Sequence, residues 1–306
     1  LQPLLRKLSR VRACVIFNPA AKGQKAERFR RCLDEIAREA TLKRTAAPRD
    51  ARRLAAQAIA DGFDTIIAAG GDGTLNEVLN GMGDVPEGFE RTRLGVLPLG
   101  TVNVFARELG IPTHPEKAWQ ILRQNRERRI DLPYFINGEA DAREQIYFAQ
   151  LAGAGLDSRA IELVDWSVKK KIGPLAYVVA GLKAIREPQA RITVTDGSRT
   201  VTGELVLVGN GRKYGGDFRV FPEARLDSGV LEVCVFPKIN WGVLARCGSR
   251  LLLTQKLPRT GVVRLRGSSF SFIAKATTRF EVDGELAGHL PAQLGVRPSA
   301  LRVLAP

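Results

Sequence analysis

The densest chemistry in this 306-residue sequence is the string Gly70-Gly71-Asp72-Gly73-Thr74. It follows the apolar run Thr65–Ala69, which reads as a buried strand, and Thr74 and Glu77 stand at capping-box spacing, which predicts a helix start. Glycines let a backbone turn tightly and approach a ligand with no Cβ in the way. Exposed N–H groups and a helix dipole then favour a phosphate. Asp72 adds a carboxylate within reach of a magnesium ion bridging to that phosphate. Taken alone, such a string is as often a plain turn.

A second turn, Leu97-Pro98-Leu99-Gly100-Thr101-Val102-Asn103, also follows a strand and precedes a short helix ending near Gly110. A third, Asn18-Pro19-Ala20-Ala21-Lys22-Gly23, follows the first strand. At the carboxyl ends of parallel strands, three such turns line one crevice. Two later turns carry carboxylates: Asp227-Ser228-Gly229 and Asp283-Gly284-Glu285. Asp-Gly between apolar strand residues is a hairpin signal by itself, so both also read as plain turns.

The elements that must position these turns follow from periodicity. Arg12–Asn18, Thr65–Ala69 and Leu94–Leu97 read as strands, with Phe29, Leu33, Ile36 and Ala40 on one helix face between the first two. A second helix is expected between Pro48 and Ala60, closed by Asp61-Gly62. Strand alternating with helix implies a mainly parallel sheet covered on both faces. After about Asp131 strands dominate: Ile146–Leu151, Ala190–Asp196, Val201–Val208, Val230–Phe236, Val262–Arg266, Phe270–Ala274 and Arg279–Asp283. Helices are expected over Ala160–Ile185, broken at Gly173-Pro174, and over Trp241–Thr254. The fold class is therefore an N-terminal Rossmann-like α/β domain, residues 1–131, and a larger β-rich sandwich domain, residues 132–289. The tail from about 290 to 306 is left open to return to the first domain.

Composition narrows the partners. Lys and Arg number 47 against 32 Asp and Glu, a net charge of +15, so polyanions are attracted: nucleic acid, anionic membrane or phosphorylated ligands. No helix-turn-helix, zinc or RNA-binding signature supports nucleic acid. Four scattered cysteines and two histidines argue against a zinc site and a disulfide framework. Leu1–Arg12 is basic but lacks the apolar core and cleavage site of a signal peptide, and no apolar run reaches the length of a membrane span. A cytoplasmic protein is expected.

Gly70–Gly81 (GGDGTLNEVLNG) and Leu97–Pro112 (LPLGTVNVFARELGIP) resemble the signature blocks of the diacylglycerol kinase catalytic-domain family, which includes sphingosine and ceramide kinases and bacterial soluble lipid kinases. Val15–Gly23, Val208-Gly209-Asn210 with Gly215-Gly216, Pro222–Val233 and Phe280–Glu285 resemble further blocks in the expected order. The resemblance implies an NAD-kinase-like α/β domain before the sandwich and an ATP-dependent lipid kinase using Mg2+. Asn18, Gly70, Gly71, Asp72, Gly73, Thr74 and Glu77 would form the nucleotide site, with Gly100, Thr101 and Asn103 from the second turn beside the phosphates. Asp72 would position ATP and its magnesium, Asp227 resembles a structural-magnesium ligand, and Glu285 matches the proposed general base, with Asp283 as the rival. Three positions depart from the family pattern: Val104 where many members are polar or acidic, Ser228 where an acidic residue often stands, and Ala-Ala-Lys in the first turn.

The partners implied are ATP and a lipid substrate met at an anionic membrane surface by peripheral contact, without nucleic acid. Arg123, Arg126, Arg128 and Arg129, and Lys169-Lys170-Lys171 beside Trp166, are candidate contacts. A homodimer through a strand edge is left open. The alternatives are an NAD or other small-molecule kinase, which shares the GGDG turn, and a catalytically silent lipid- or nucleotide-binding regulator.

Overall fold

A computed structural model of the chain describes residues 12–19, 24–137, 144–163, 181, 183–275 and 277–306. It divides into two compact units, Leu1–Ile130 with Ser299–Pro306, and Asp131–Pro298.

In the first unit β1 (Ala13–Phe17), β2 (Thr41–Arg44), β3 (Thr65–Gly70) and β4 (Arg93–Pro98) pair in parallel in the order β2-β1-β3-β4. β3 is buried along its whole length, as a strand covered on both faces must be, and its apolar residues therefore run without alternation. The connecting helices are α1 (Gln24–Glu39), α2 (Asp50–Ala60), α3 (Asp72–Gly83), α4 (Gly88–Arg91), α5 (Val104–Glu108) and α6 (Pro115–Arg123). α1 buries Phe29 and Ile36, two of the positions read on one helix face, and α2 buries Ala51, Ala55, Ala58 and Ile59. The chain winds from β1 to β2 on one side and then to β3 on the other. The reversal opens a crevice at the carboxyl ends of β1 and β3, where doubly wound sheets bind ligands.

The second unit is a sandwich. The chain enters it along β5 (Glu127–Asn137) and continues through β6 (Glu144–Tyr147), β7 (Leu151–Gly155), α7 (Leu156–Glu162), β8 (Ile192–Thr195), β9 (Thr200–Gly203) and β10 (Leu205–Gly209). The hairpin β11 (Lys213–Tyr214) and β12 (Phe218–Arg219) precedes β13 (Leu231–Phe236), α8 (Trp241–Thr254), β14 (Val263–Gly267), β15 (Ser269–Ala274), β16 (Arg279–Val282), β17 (Glu285–His289) and β18 (Ala292–Leu304). One layer is an antiparallel sheet in the order β14-β13-β10-β7-β16-β17. The other contains β9-β8-β15 with the first half of β18, and the β5–β6 pair. Between them Phe135, Phe148, Phe270, Phe272 and Phe280 are buried, with the Phe135 and Phe280 rings stacked at 4.6 Å. Each such side chain stabilises the fold by about 2–3 kcal/mol through burial. The opposite face of the six-stranded sheet packs under α7 and α8 on Leu207, Phe221, Cys234 and Phe236. The end of β18 belongs to the first unit, where Val303 pairs with Leu94 and Arg302 meets Glu127 at 2.7 Å.

Two expected strands are broken. Ile146–Leu151 splits into the end of β6 and the start of β7, because the amides between them turn toward a carboxylate described below. Val201–Val208 splits at Glu204 into β9 and β10, which lie in different sheets; a side chain at Gly203 would press into the Phe236 carbonyl, so glycine carries the crossing. Gly173-Pro174 and the Trp166 with Lys169–Lys171 cluster lie outside the described residues. In the other basic cluster, Arg123 is engaged by Glu35 and Glu39 at 3.3 and 3.2 Å. Among the described residues no helix is long and apolar enough to cross a membrane.

Candidate active site: a glycine cradle and a carboxylate hairpin

In the first unit, the turns after β3 and β4 are joined backbone to backbone. Leu99 N and Gly100 N donate to the Gly70 carbonyl at 2.8 and 3.2 Å. A Cβ on Gly100 would lie 2.5 Å from the Gly71 Cα, so no other residue fits there without moving one turn off the other. α3 begins immediately after this contact, with Gly71 as its N-cap in extended conformation (φ −91°, ψ −172°) and Asp72 as its first residue. The first N–H groups of a helix have no partner within it, and here they belong to Asp72, Gly73 and Thr74. With the dipole of a twelve-residue helix behind them, they make an end of the kind that attracts anions. Asn18, at the end of β1, completes the crevice: its side-chain amide donates to the Thr74 hydroxyl at 3.2 Å. The remainder of that third turn, Ala20 to Gly23, lies outside the described residues.

The expected capping box does not form. Thr74 faces Asn18, and the Glu77 carboxylate turns away to a different helix, accepting the Arg49 and Ala51 N–H groups of α2 at 3.0 Å each. Glycine at the N-cap brings no capping side chain to α3, whereas Glu77 closes the start of α2. In the second turn Asn103 adopts φ 55° and closes the loop on itself. Its side chain accepts the Gly100 N–H at 3.0 Å and donates to the Gly100 carbonyl at 2.7 Å. Gly100 and Asn103 therefore shape the cradle from within, while Thr101 is exposed on the turn.

In the second unit, Asp283-Gly284 forms the two-residue loop of the β16–β17 hairpin, with Val282 opposite Glu285 and positive φ at both turn residues (49° and 88°). The hairpin reading of this dipeptide holds, and the Asp283 side chain also has a separate task. Its carboxylate accepts the N–H groups of Ala149, Gln150 and Leu151 at 2.7, 3.0 and 3.1 Å. These amides belong to the segment where β6 and β7 part. Asn210 steadies it from beneath by donating to the Ala149 carbonyl at 2.9 Å. Three amide donors hold a carboxylate in its charged form and weaken it as a base. Glu285 stands exposed at the first position of β17.

The turn is clamped on its other side by a group that the sequence did not single out. Glu281, fully buried in β16, accepts the Gly284 N–H at 2.9 Å. Its other oxygen and Asp157 Oδ2 flank the same point: a side chain at Gly153 would come within 3.0 and 2.7 Å of them. Neither oxygen has another hydrogen-bond partner, and a proton between them satisfies both. Burial, and then the Asp157 charge, push the Glu281 carboxyl well above the usual carboxylate range; burial raises Asp157 too. Asp157 keeps the Tyr214 hydroxyl as donor at 2.5 Å, so Glu281 is the protonated member. The signal was present in LAGAG (Leu151–Gly155), where alternating glycine leaves room on one face of a strand, but nothing local says what fills it.

Asp227 sits on an exposed turn and meets Arg225 at 3.1 Å. The Ser228 hydroxyl lies between the Arg225 and Val230 carbonyls, where its one proton is used, and the neighbouring Asp131 carboxylate takes the Gly229 N–H at 2.6 Å. An arginine, a donating hydroxyl and an already engaged carboxylate do not make a magnesium cage. Among the described residues no group of three His, Cys, Asp or Glu side chains gathers around a metal-sized space.

Comparison with known proteins follows the same division of the chain. Residues 12–134 match the family profile of the diacylglycerol kinase catalytic domain, and residues 150–305 match the YegS C-terminal NAD kinase beta sandwich-like domain. A Staphylococcus saprophyticus protein named diacylglycerol kinase is 31% identical over 295 residues, covering 92% of this chain and 91% of that one. A Pseudomonas aeruginosa protein named "Probable lipid kinase YegS-like" is 34% identical over 275 residues, covering 89% and 86%. Among solved structures, a diacylglycerol kinase from Bacillus anthracis superposes with a TM-score of 0.75 at 23% identity, covering 96% and 97% of the two chains. Yeast NADH kinase superposes with a TM-score of 0.53 at 10% identity over 97% and 84%. At such identities the two structures speak for the fold: an NAD-kinase-like α/β unit followed by a β-sandwich.

Proposed function

Since the chain belongs to the family of diacylglycerol kinases and YegS-like lipid kinases, we propose that it transfers the γ-phosphoryl group of ATP to a hydroxyl of diacylglycerol or a related lipid. The observation that carries the nucleotide half is the contact of Gly71 with Gly100 at the open end of α3. Backbone pressed on backbone brings N–H groups to meet the phosphates of Mg·ATP. Those amides and the helix dipole hold negative charge that grows on the phosphoryl oxygens during transfer. Asp72, at the first position of α3, is the carboxylate that approaches the magnesium carried by the nucleotide.

The acceptor hydroxyl loses its proton as its oxygen bonds to the γ-phosphorus and ADP departs with the electrons of the broken bond. Glu285 takes that proton. Asp283 is the weaker candidate, since three amides already hold its charge. Its part is to fix the turn from which Glu285 projects, aided by Glu281 on Gly284. The enzyme works as a cytoplasmic protein in peripheral contact with the membrane that contains its substrate.

Incubation with radiolabelled ATP, magnesium and mixed lipid micelles tests the reading. A labelled phospholipid is expected from the wild type, with none from Asp72→Ala and at least 100-fold less from Glu285→Gln. Bound ATP without any labelled lipid, across diacylglycerol, sphingoid bases and ceramide, would instead favour a regulator. Label on NAD would favour the small-molecule kinase.

A further inference from the structure

The second unit exposes a surface that the transfer chemistry does not use. α8 is capped by Asn240, whose side chain accepts the Val243 N–H at 3.0 Å. The helix packs Val243, Leu244, Cys247 and Leu251 onto the core around Phe236. At 100° per residue, the stripe opposite holds Gly242, Ala245, Ser249 and Leu253, flanked by Trp241 and Leu252 on one side and by the exposed Arg246 on the other. Trp241 is 51% exposed, Leu252 77% and Leu253 84%. A soluble helix normally turns charge outward on this face. Here it turns outward a tryptophan, two leucines and small residues that allow close approach to a plane, with a single cation, Arg246, at the edge.

Charge is gathered along one flank. A groove of about 620 Å³ beside α8 is lined by Arg219, Arg250, Lys256, Arg259 and Arg264, with Glu223. Arg264 is spent on the buried Glu232 at 2.5 Å, and Glu223 is reached by Arg266 at 3.5 Å. Among the described residues no carboxylate pairs with the side chains of Arg219, Arg250, Lys256 or Arg259. Four cations thus border an exposed apolar ridge.

We propose that the outer face of α8 is the surface by which this protein docks on an anionic bilayer, with Leu252, Leu253 and Trp241 entering the interface and the cationic groove receiving lipid phosphates. Charge selects this occupant. A second copy meeting the same face about a two-fold axis would gather two sets of Arg250, Lys256 and Arg259 into one assembly, with their charges uncompensated by this face. A nucleic acid would meet the cations but leave the leucines in water. An amphipathic helix with apolar side chains on one flank and cations on the other suits the boundary between headgroups and acyl chains. The proposal gives the lipid-kinase reading a route to its substrate, and it rests on that reading only for motive.

Sedimentation with vesicles tests it without any turnover, so its failure and the failure of the kinase reading are separate results. The full chain is expected to bind phosphatidylcholine vesicles that contain phosphatidylglycerol far better than phosphatidylcholine alone. Leu252→Ser with Leu253→Ser should weaken that binding at least about 10-fold, and Arg250→Gln, Lys256→Gln or Arg259→Gln about five-fold each at low salt. Both sets lie on the surface, so turnover of a short-chain, water-soluble lipid should match the wild type. Fluorescence of Trp241, isolated by Trp119→Phe and Trp166→Phe, should be quenched by brominated acyl chains. Wild-type vesicle binding by both sets of variants overturns the proposal. So does a wild-type dimer that the leucine variants convert to a monomer while vesicle binding stays unchanged, because the face would then join two copies.

Discussion

The glycine cradle of the first unit and the carboxylate hairpin of the second hold their groups with different materials. In the cradle, Gly71 and Gly100 touch through backbone, and the groups presented beside them are the N–H groups at the start of α3. Nothing in that contact titrates, and its tolerance for added volume is nearly zero. In the hairpin, position is set by side chains: Asp283 on three amides, and Glu281 on Gly284 and against Asp157. Such a device tolerates a change of shape better than a change of charge. The comparison teaches where each kind of substitution should hurt.

The largest effect is expected from Gly100→Ala. The new Cβ forces the two turns apart, and a displacement of about 1 Å at the phosphates costs on the order of 100-fold in turnover. ATP affinity, measured by calorimetry, should fall with it, while the hairpin and its pH behaviour stay as they were. Undiminished affinity would show that the cradle tolerates volume after all.

Asp283→Asn should act chiefly on stability. The amide keeps one acceptor oxygen but turns an NH2 group toward amide donors, which costs about 3 kcal/mol of unfolding free energy. A denaturant titration should show a lower midpoint at unchanged slope. If stability held and turnover fell as far as in Glu285→Gln, Asp283 would be the base and the contrast between the two carboxylates would be reversed.

The smallest effect belongs to Glu281→Gln and shows itself in its pH dependence. Burial raises the Glu281 carboxyl well above the range in which it ionises in the unfolded chain. Between those two values the folded state binds more protons, so its stability is full below the unfolded range and falls as pH rises toward the folded one. Glutamine does not titrate. The melting temperature of the variant should therefore gain on that of the wild type as pH rises above the usual carboxylate range. A constant gap would mean that Glu281 ionises in the fold much as it does outside it.

The two regions also differ in how far they could be read in advance. The α/β class, the sandwich and the strand-then-turn settings of Gly70–Thr74 and Leu99–Asn103 follow from local pattern, because apolar runs, glycines and helix periodicity are properties of neighbouring residues. The same pattern predicted a capping box for Thr74 and Glu77, and there it misled. Glu77 finds better donors at the start of α2, where Arg49 and Ala51 stand 28 and 26 residues away. It also ran one strand through Ile146–Leu151, where Asp283, more than 130 residues on, takes the amides out of the ladder.

By itself, then, the sequence determined the turns after β3 and β4, which strands are covered on both faces, and which carboxylates stand in turns. Each of these depends on interactions within a few residues, whose geometry the backbone dictates. Only the tertiary structure decided which amides Asp283 and Glu77 satisfy, that Glu281 and Asp157 meet in the space beside Gly153, and that α8 faces solvent with its leucines. Those outcomes are choices among distant partners. They are settled by burial and by the need of every buried polar group for a partner, and spacing along the chain does not encode either.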